Sequence, residues 1–304
     1  MSVRSVGVVM EPKVAPEAEG VLIRRTIGSE RLVLLDPFLL LDHLTVPPVD
    51  GEPQELGFPR HPHRGIETLT YVLTGAVHHK DSCGNDSRVE APGTQWMTAG
   101  GGIFHEEYFT AGPKGCEAVQ IWFNLPAIQK MKPASYHPAQ PSDIPEIALE
   151  GGATVRVIAG TLAGTTGPLQ GIAVEPLYLD VYLPAGATVM LPAPAGQTTF
   201  AYVVRGNATF GEGAGAKTAT VARLVIFCDG DSVQVSAPIN TEIDAEIDAE
   251  IDTEIDTEEA GTRFLFVSAP PLREPVLQYR SLVMNTIEEM KQALDDLEQG
   301  TFAR

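Results

Sequence analysis

The 304 residues are enough for two domains, and 43% hydrophobic content can fill their cores. A formal net charge of −19 with no basic stripe argues against binding nucleic-acid phosphate, and no run of about 18 apolar residues is present to span a membrane. Glycine (29) and proline (24) are abundant, which favours many short strands and turns over helices.

The first residues, Met1 to Val6, hold no long apolar core and no cleavage motif, so no secretory signal is read. Three widely spaced cysteines, Cys83, Cys116 and Cys228, make no disulfide framework and no zinc spacing, and a reducing cytoplasm is the expected compartment. Val21-Leu22-Ile23 and Leu32 to Leu35 are β-prone runs. His43 lies outside any ligand-like spacing and is expected to be structural or at the surface.

The chain is organised around Arg60-His61-Pro62-His63-Arg64-Gly65-Ile66-Glu67, answered by His105-Glu106-Glu107. Side chains two apart on a strand share a face, so His61 and His63 point together, and so do His105 and Glu107. Glu67 keeps the parity of the first pair if that strand runs on. Two such strands side by side would bring three imidazoles and at least one carboxylate to a common point. That donor set suits a divalent first-row metal, and with open positions it is the pattern of non-haem iron(II) oxygen chemistry. A lone H-x-H is more often a surface loop. Here three of only seven histidines fall in these two stretches, and both border β-prone runs. Parity alone leaves Glu67 and Glu107 both open as the carboxylate.

His78 and His79 are adjacent, face opposite ways on a regular strand and cannot chelate together; they are read as a hairpin without metal. Gly100-Gly101-Gly102 invites a bend before His105. A phosphate loop would need a following helix with Lys or Ser/Thr, which is missing. Five prolines between 126 and 149 favour an extended segment, and residues 131–144 are read as a linker. Gly196 to Gly206 aligns with Gly65 to Gly75. On that offset His61 falls on Pro192 and His63 on Pro194, so the second copy is expected to bind no metal. Residues 241–259 form a Glu-Ile-Asp-(Ala/Thr) repeat carrying ten acids; removing them from the −19 leaves −9. Dense like charge and low complexity favour a flexible insert there. Thr286-Ile287-Glu288-Glu289 is a capping box, Ile287, Met290, Leu294 and Leu297 make an apolar stripe, and Gly300 is a stop, which predicts a helix over 286–299.

H-x-H-x3-E followed by a glycine, then Pro92-Gly93 and a later histidine, is the two-part signature of a cupin β-barrel. The chain further resembles the pirin family, in Leu35-Asp36-Pro37-Phe38-Leu39-Leu40, Gly57 to Gly65, Gln95-Trp96-Met97-Thr98-Ala99-Gly100, Gly102 to Glu107, Gln120 to Leu125 and Glu274-Pro275-Val276. The resemblance implies an all-β bicupin whose N-terminal barrel binds iron(II), with other divalent first-row metals possible. It implies His61, His63, His105 and Glu107 as ligands, with Glu67 nearby and not ligating. The expected layout is a metal-binding cupin over 1–130, a linker over 131–144, a metal-free cupin over 145–280 containing the acidic insert, and a helical tail over 281–304.

Two functions are compatible with that resemblance. In the first, the protein is a quercetin 2,3-dioxygenase-type enzyme that takes a small flavonol-like aromatic substrate and O₂. Glu107 or Glu67 would then accept the substrate's hydroxyl proton. Phe58, Trp96, Phe104 and Phe123 are candidate walls for a flat ligand, and Arg64, Gln95 and Gln120 candidate polar groups around it. In the second, it is an iron-dependent regulatory pirin that binds a transcription factor or a metabolic enzyme. A monomer is expected in either case.

Overall fold

In the computed structural model the described residues are 2–18, 20–239 and 261–303. The acidic repeat over 241–259 lies outside them. The described chain is mostly strand, with one α-helix and three short 3₁₀ turns. None of its helices is long and apolar enough to cross a membrane.

The residues gather into two compact units. The first is Val14–Ser142, Ile172–Val174 and Leu272–Arg304, and the second is Met1–Lys13, Asp143–Gly171 and Glu175–Pro271, counting the described residues of each. Both use the same plan, a seven-stranded sheet and a four-stranded sheet with antiparallel ladders. In the first unit the larger sheet centres on Ile66–Thr74 and Cys116–Asn124, and the smaller one runs Gln54–His63, Ile103–Ala111, Ala76–Asp81, Asp86–Glu90. In the second, Thr198–Arg205 and Gly261–Ala269 take the central places, and Thr188–Pro192, Ser232–Ser236, Asn207–Phe210, Lys217–Thr220 form the smaller sheet. The repeat read between Gly65–Gly75 and Gly196–Gly206 is thus a repeat of whole units.

A cut in chain order at 130 and 145 does not match this grouping. Val6–Met10 pairs with Leu224–Phe227 and belongs to the second unit. The stretch read as a linker contains the strand Ser135–Ala139, hydrogen-bonded to Gly93–Thr98 at the edge of the first unit's larger sheet. Pro138 is tolerated there because an edge strand leaves one row of backbone groups unpaired. The helix Ile287–Gln299 belongs to the first unit. Thr286 caps it with the reciprocal Glu289 contact, and Gly300 ends it in the left-handed conformation. Its packed face keeps Met290, Leu294 and Leu297 of the predicted stripe and loses Ile287. Ile287 is exposed, while Met290, Ala293 and Asp296 are buried. Asp296 is covered because Arg64 Nη1 donates to it at 2.7 Å.

The two cores differ in character. The second unit is filled by apolar side chains drawn from both of its sheets, among them Leu191, Ala201, Phe210, Val225, Val233 and Phe266. The corresponding cluster in the first unit is smaller and lies toward one end, around Val72, Val77, Val89 and Phe109. Two further apolar clusters, one around Ile66, Met97 and Ile103 and one around Leu282, Met290 and Phe302, complete the first unit, and its interior also holds buried polar groups, among them His63, Gln95, His105 and Glu107.

Candidate metal centre

His61 and His63 stand near the end of Gln54–His63, and His105 and Glu107 in the middle of the neighbouring Ile103–Ala111. His105 pairs with His61, but Glu107 pairs with Phe58, so the single residue Glu106 is met by two, Pro59 and Arg60. This irregularity at Pro59–Arg60 breaks the alternation of faces. Phe58, His61 and His63 therefore all line one cavity despite the odd spacing from 58 to 61. Gly57, beside it, lies so close to Glu107 O that a Cβ could not be accommodated.

The structure brings His61, His63 and His105 together with candidate ligand atoms within 4.8 Å of one another. His61 Nε2 and His105 Nε2 are 3.0 Å apart. Burial first, and the neighbouring imidazoles second, push His63 and His105 well below the ordinary histidine pKa, which keeps their lone pairs available at neutral pH. Glu107 lines the same cavity but converges most closely with His105 and His79, in a second buried triad. The four predicted residues are therefore divided between two overlapping triads that share His105, the second completed by His79. A cluster of neutral imidazoles with an adjacent carboxylate is able to bind a divalent metal, and these residues fit one.

Glu107 is buried and held from several sides. Gln95 Nε2 and Thr70 Oγ1 donate to Oε1, and Gln120 Nε2 donates to Oε2 at 2.8 Å. The amides are themselves fixed, since Tyr136 Oη donates to Gln95 Oε1 and Trp122 Nε1 donates to Gln120 Oε1, both at 2.9 Å. Gln95 and Gln120 thus sit beside the carboxylate, as the sequence suggested. Arg64 does not; it turns to Asp296 and to Phe302 O. Of the aromatics proposed as walls, only Phe58 lines the cavity, together with Trp122, Leu39 and Leu40. Trp96 stacks on His137, Phe104 meets Phe302 edge-on and Phe123 packs at a tilt against Phe38. Trp122 was findable, because it is two residues from Gln120 on one strand and must share its face.

Glu67 departs from expectation. Its strand is not a continuation of Gln54–His63, because Gly65 turns between them at φ 77°. A side chain at 65 would run into Val283 O. After the turn, Thr70 points to Glu107, and Glu67, three residues earlier, takes the opposite face. Thr98 Oγ1 and Lys132 Nζ donate to its Oε1 at 2.8 Å each, and Ala173 N donates to Oε2 at 2.9 Å. Both Glu67 oxygens are therefore held by partners outside the cavity that His61, His63 and Glu107 line. Glu67→Gln is expected to leave metal content unchanged while lowering stability by about 1–3 kcal/mol, through the weakened buried pair with Lys132. Metal analysis beside a thermal melt checks both halves.

His43 is buried, not at the surface, and its Nε2 lies 2.6 Å from Glu117 Oε1. His78 and His79 face opposite ways as predicted, but the inward one is not idle. His79 is fully buried and lies against His105. All three cysteines are free.

The second unit shows what the interior becomes without these groups. In the first unit Thr70 pairs across the ladders with Gln95 and Gln120; the matching Ala201 pairs with Val225 and Phe266. His79 pairs with Glu107, and Phe210 with Val235; His61 pairs with His105, and Leu191 with Val233. His63 falls on Ala193, beside Asp231. These register positions correct the sequence offset by one residue, because the connection from Ala193 to Thr198 is one residue longer than that from His63 to Glu67. Every matched ligand position in the second unit is a buried apolar residue. A concavity of about 400 Å³ does exist there, but its charges, including Arg156, Asp180 and Arg263, are paired with one another.

The cavity above the imidazoles measures about 260 Å³. Its rim is polar, with Arg25 bound to Asp42 through two hydrogen bonds and with Gln278 and Arg280 across from them.

Comparison with known proteins agrees with this geometry. A family model described as Pirin matches residues 20–123, and one described as Pirin C-terminal cupin domain matches 178–303. A pirin-like protein of Caulobacter vibrioides is 35% identical over 304 residues, covering 99% of this chain and 100% of its own length. The pirin of Homo sapiens is 34% identical over 281 residues, covering 92% of this chain and 87% of its own length. Among solved structures, a quercetin 2,3-dioxygenase from Acinetobacter baumannii matches with a TM-score of 0.82 at 30% identity, over 99% of both chains.

Proposed function

The chain belongs to the pirin family, and from that premise we propose that it is a non-haem iron(II) dioxygenase acting on a flavonol such as quercetin. The observation that carries the proposal is a cluster of three imidazoles with an adjacent carboxylate, of which His61, His63 and Glu107 line an aromatic-walled cavity, found among the described residues in one unit only. His61, His63, His105 and Glu107 are the proposed ligands. Bound iron(II) would supply a Lewis-acidic centre with positions left for oxygen donors of a substrate and for O₂.

The protein's own groups give the rest of the reading. Phe58 and Trp122 offer apolar faces to a flat ring system, and a cavity of about 260 Å³ suits one compact aromatic better than a long chain. The paired Arg25 and Asp42 and the nearby Arg280 keep the rim polar, so a hydroxylated ligand need not lose every hydrogen bond on entry. Glu107 is the one carboxylate facing the imidazoles from within, which makes it the candidate acceptor for a substrate hydroxyl proton. Gln95 and Gln120 fix its two oxygens and limit the directions from which that proton can arrive.

The test has two measurements on one preparation. Purified protein reconstituted with iron(II) and desalted is expected to retain about one equivalent, since the second unit presents only apolar side chains at the matching positions. Quercetin added aerobically should then disappear with stoichiometric O₂ uptake. One equivalent of metal without O₂ uptake would sink the catalytic half and favour a regulatory pirin. Two tightly held equivalents would sink the assignment of the site.

A further inference from the structure

Two groups that can only accept hydrogen bonds constrain the protons of the histidine cluster. The first is Pro59 O, 2.9 Å from His61 Nδ1. His61 must carry its proton on Nδ1, and its Nε2 therefore presents a bare lone pair toward His105. The second is Asp81, whose side chain is wholly buried. Cys83 N and Asn85 N donate to its Oδ1 at 2.9 and 3.1 Å, and Asn85 Nδ2 and His79 Nε2 to its Oδ2 at 2.8 and 3.1 Å. Burial opposes ionisation, yet these hydrogen bonds hold its carboxyl below the ordinary pKa. An ionised Asp81 accepts only, so His79 carries a proton on Nε2.

The other nitrogen of His79, Nδ1, lies 3.4 Å from His105 Nδ1. The ring is locked in this attitude by stacking on Tyr136, with centroids 4.1 Å apart and planes 7° from parallel. We propose that Asp81 and His79 are positioning residues for His105, a buried relay that holds the proton of His105 on Nδ1 and turns a bare Nε2 toward the ligand cluster. With its Nε2 proton held by Asp81, His79 offers the Nδ1 lone pair to the donor that faces it, His105 Nδ1–H. His105 Nε2 is then bare as well, 3.0 Å from the bare Nε2 of His61. Two lone pairs at that distance repel, and a cation between them removes the conflict. The same acceptors that fix the tautomers thus bias the site toward cation binding before a metal arrives. A doubly protonated His79 would do the opposite, since its Nδ1–H would push the proton of His105 onto Nε2 and close the ligand position.

The inference rests on the reading of His105 as a ligand, and the experiment separates the two. Zinc(II) serves as a diamagnetic probe in ¹⁵N-labelled full-length protein, and long-range ¹H–¹⁵N correlation reports each ring nitrogen. The expected result is a zinc-shifted Nε2 and a protonated Nδ1 on His105, with His79 protonated on Nε2 and bare on Nδ1. His79→Phe should weaken zinc binding about 10–100-fold in competition with a chromophoric chelator, as loss of an outer-shell partner does. His79→Gln should restore most of it, because its amide oxygen can accept from His105 Nδ1–H; a purely structural role would predict no such rescue. The wild-type spectrum decides the matter even if His79→Phe does not fold. A His79 protonated on Nδ1, with His105 still bound to zinc, overturns the relay alone. A His105 with no zinc-shifted nitrogen brings down the ligand reading and the relay with it.

Discussion

His105→Ala is expected to lower iron(II) affinity by at least about a hundredfold, more than the 10–100-fold typical of losing an outer-shell partner. His105 is the residue common to both triads, so its loss leaves His61 and His63 without a third imidazole and Glu107 without its nearest one. The fold should persist, because the apolar cluster of the first unit, around Val72, Val77, Val89 and Phe109, does not include it. Glu107→Gln should approach the same loss by another route. An amide oxygen is a neutral and weaker ligand, and it offers one acceptor where Gln95 and Gln120 now donate to two. One donor would be left facing another donor in a buried site. Iron content after anaerobic loading and desalting, read beside a melting curve, checks both variants. Retention of near-stoichiometric iron by His105→Ala in folded protein would remove the site assignment. Retention by Glu107→Gln alone would reduce Glu107 to a neighbour of the metal.

The parts of this site that were legible in the sequence are those set by strand alternation over short distances. His61 with His63, and His105 with Glu107, share faces because they are two apart, and nothing in the tertiary structure alters that. The signal failed where the chain turns. Glu67 has the right spacing from His63, but Gly65 at positive φ ends the strand, and the next one presents Thr70 inward instead. The bulge at Pro59–Arg60 worked the other way and admitted Phe58 to the cavity at a spacing that alternation forbids. Residues defined by contacts across long separations were beyond reach. The acceptor role of Asp81 emerges only when the turn to Asn85 closes around it, and the strand Ser135–Ala139 becomes an edge strand only when Gly93–Thr98 is there to pair with it. That the second unit lacks imidazoles was readable from the lack of histidines after His137, although the residues matching His61 and His63 proved to be Leu191 and Ala193 and not the neighbouring prolines.

Arg4→Ala is expected to cost the second unit about 3–5 kcal/mol, a loss as large as any single substitution outside the ligand cluster should produce. Nothing in the opening Met1-Ser2-Val3-Arg4 announces this role. In the structure the side chain is 1% exposed and its guanidinium reaches five carbonyl oxygens. Nε donates to Ala193 O and Gly230 O, Nη1 to Gln197 O and Cys228 O, and Nη2 to Ala193 O and Pro194 O, at 2.7–3.2 Å. The planar fork with its five donors matches that number of acceptors, which a lysine ammonium with three donors cannot. Ala193 is the counterpart of His63, so the guanidinium closes the loop that in the first unit carries that imidazole. Removing it leaves several carbonyls of that loop without their donors, and alanine supplies nothing in return. Arg4→Lys should recover only part of the loss. For a unit of this size the deficit corresponds to a fall of roughly 10–20 °C in its melting transition. Amide exchange should quicken first at Ala193 and Cys228, while the first unit still takes up its single metal. A shift of under about 2 °C, or an equal loss of metal binding, would show that Arg4 does not hold the second unit in the way its hydrogen bonds imply.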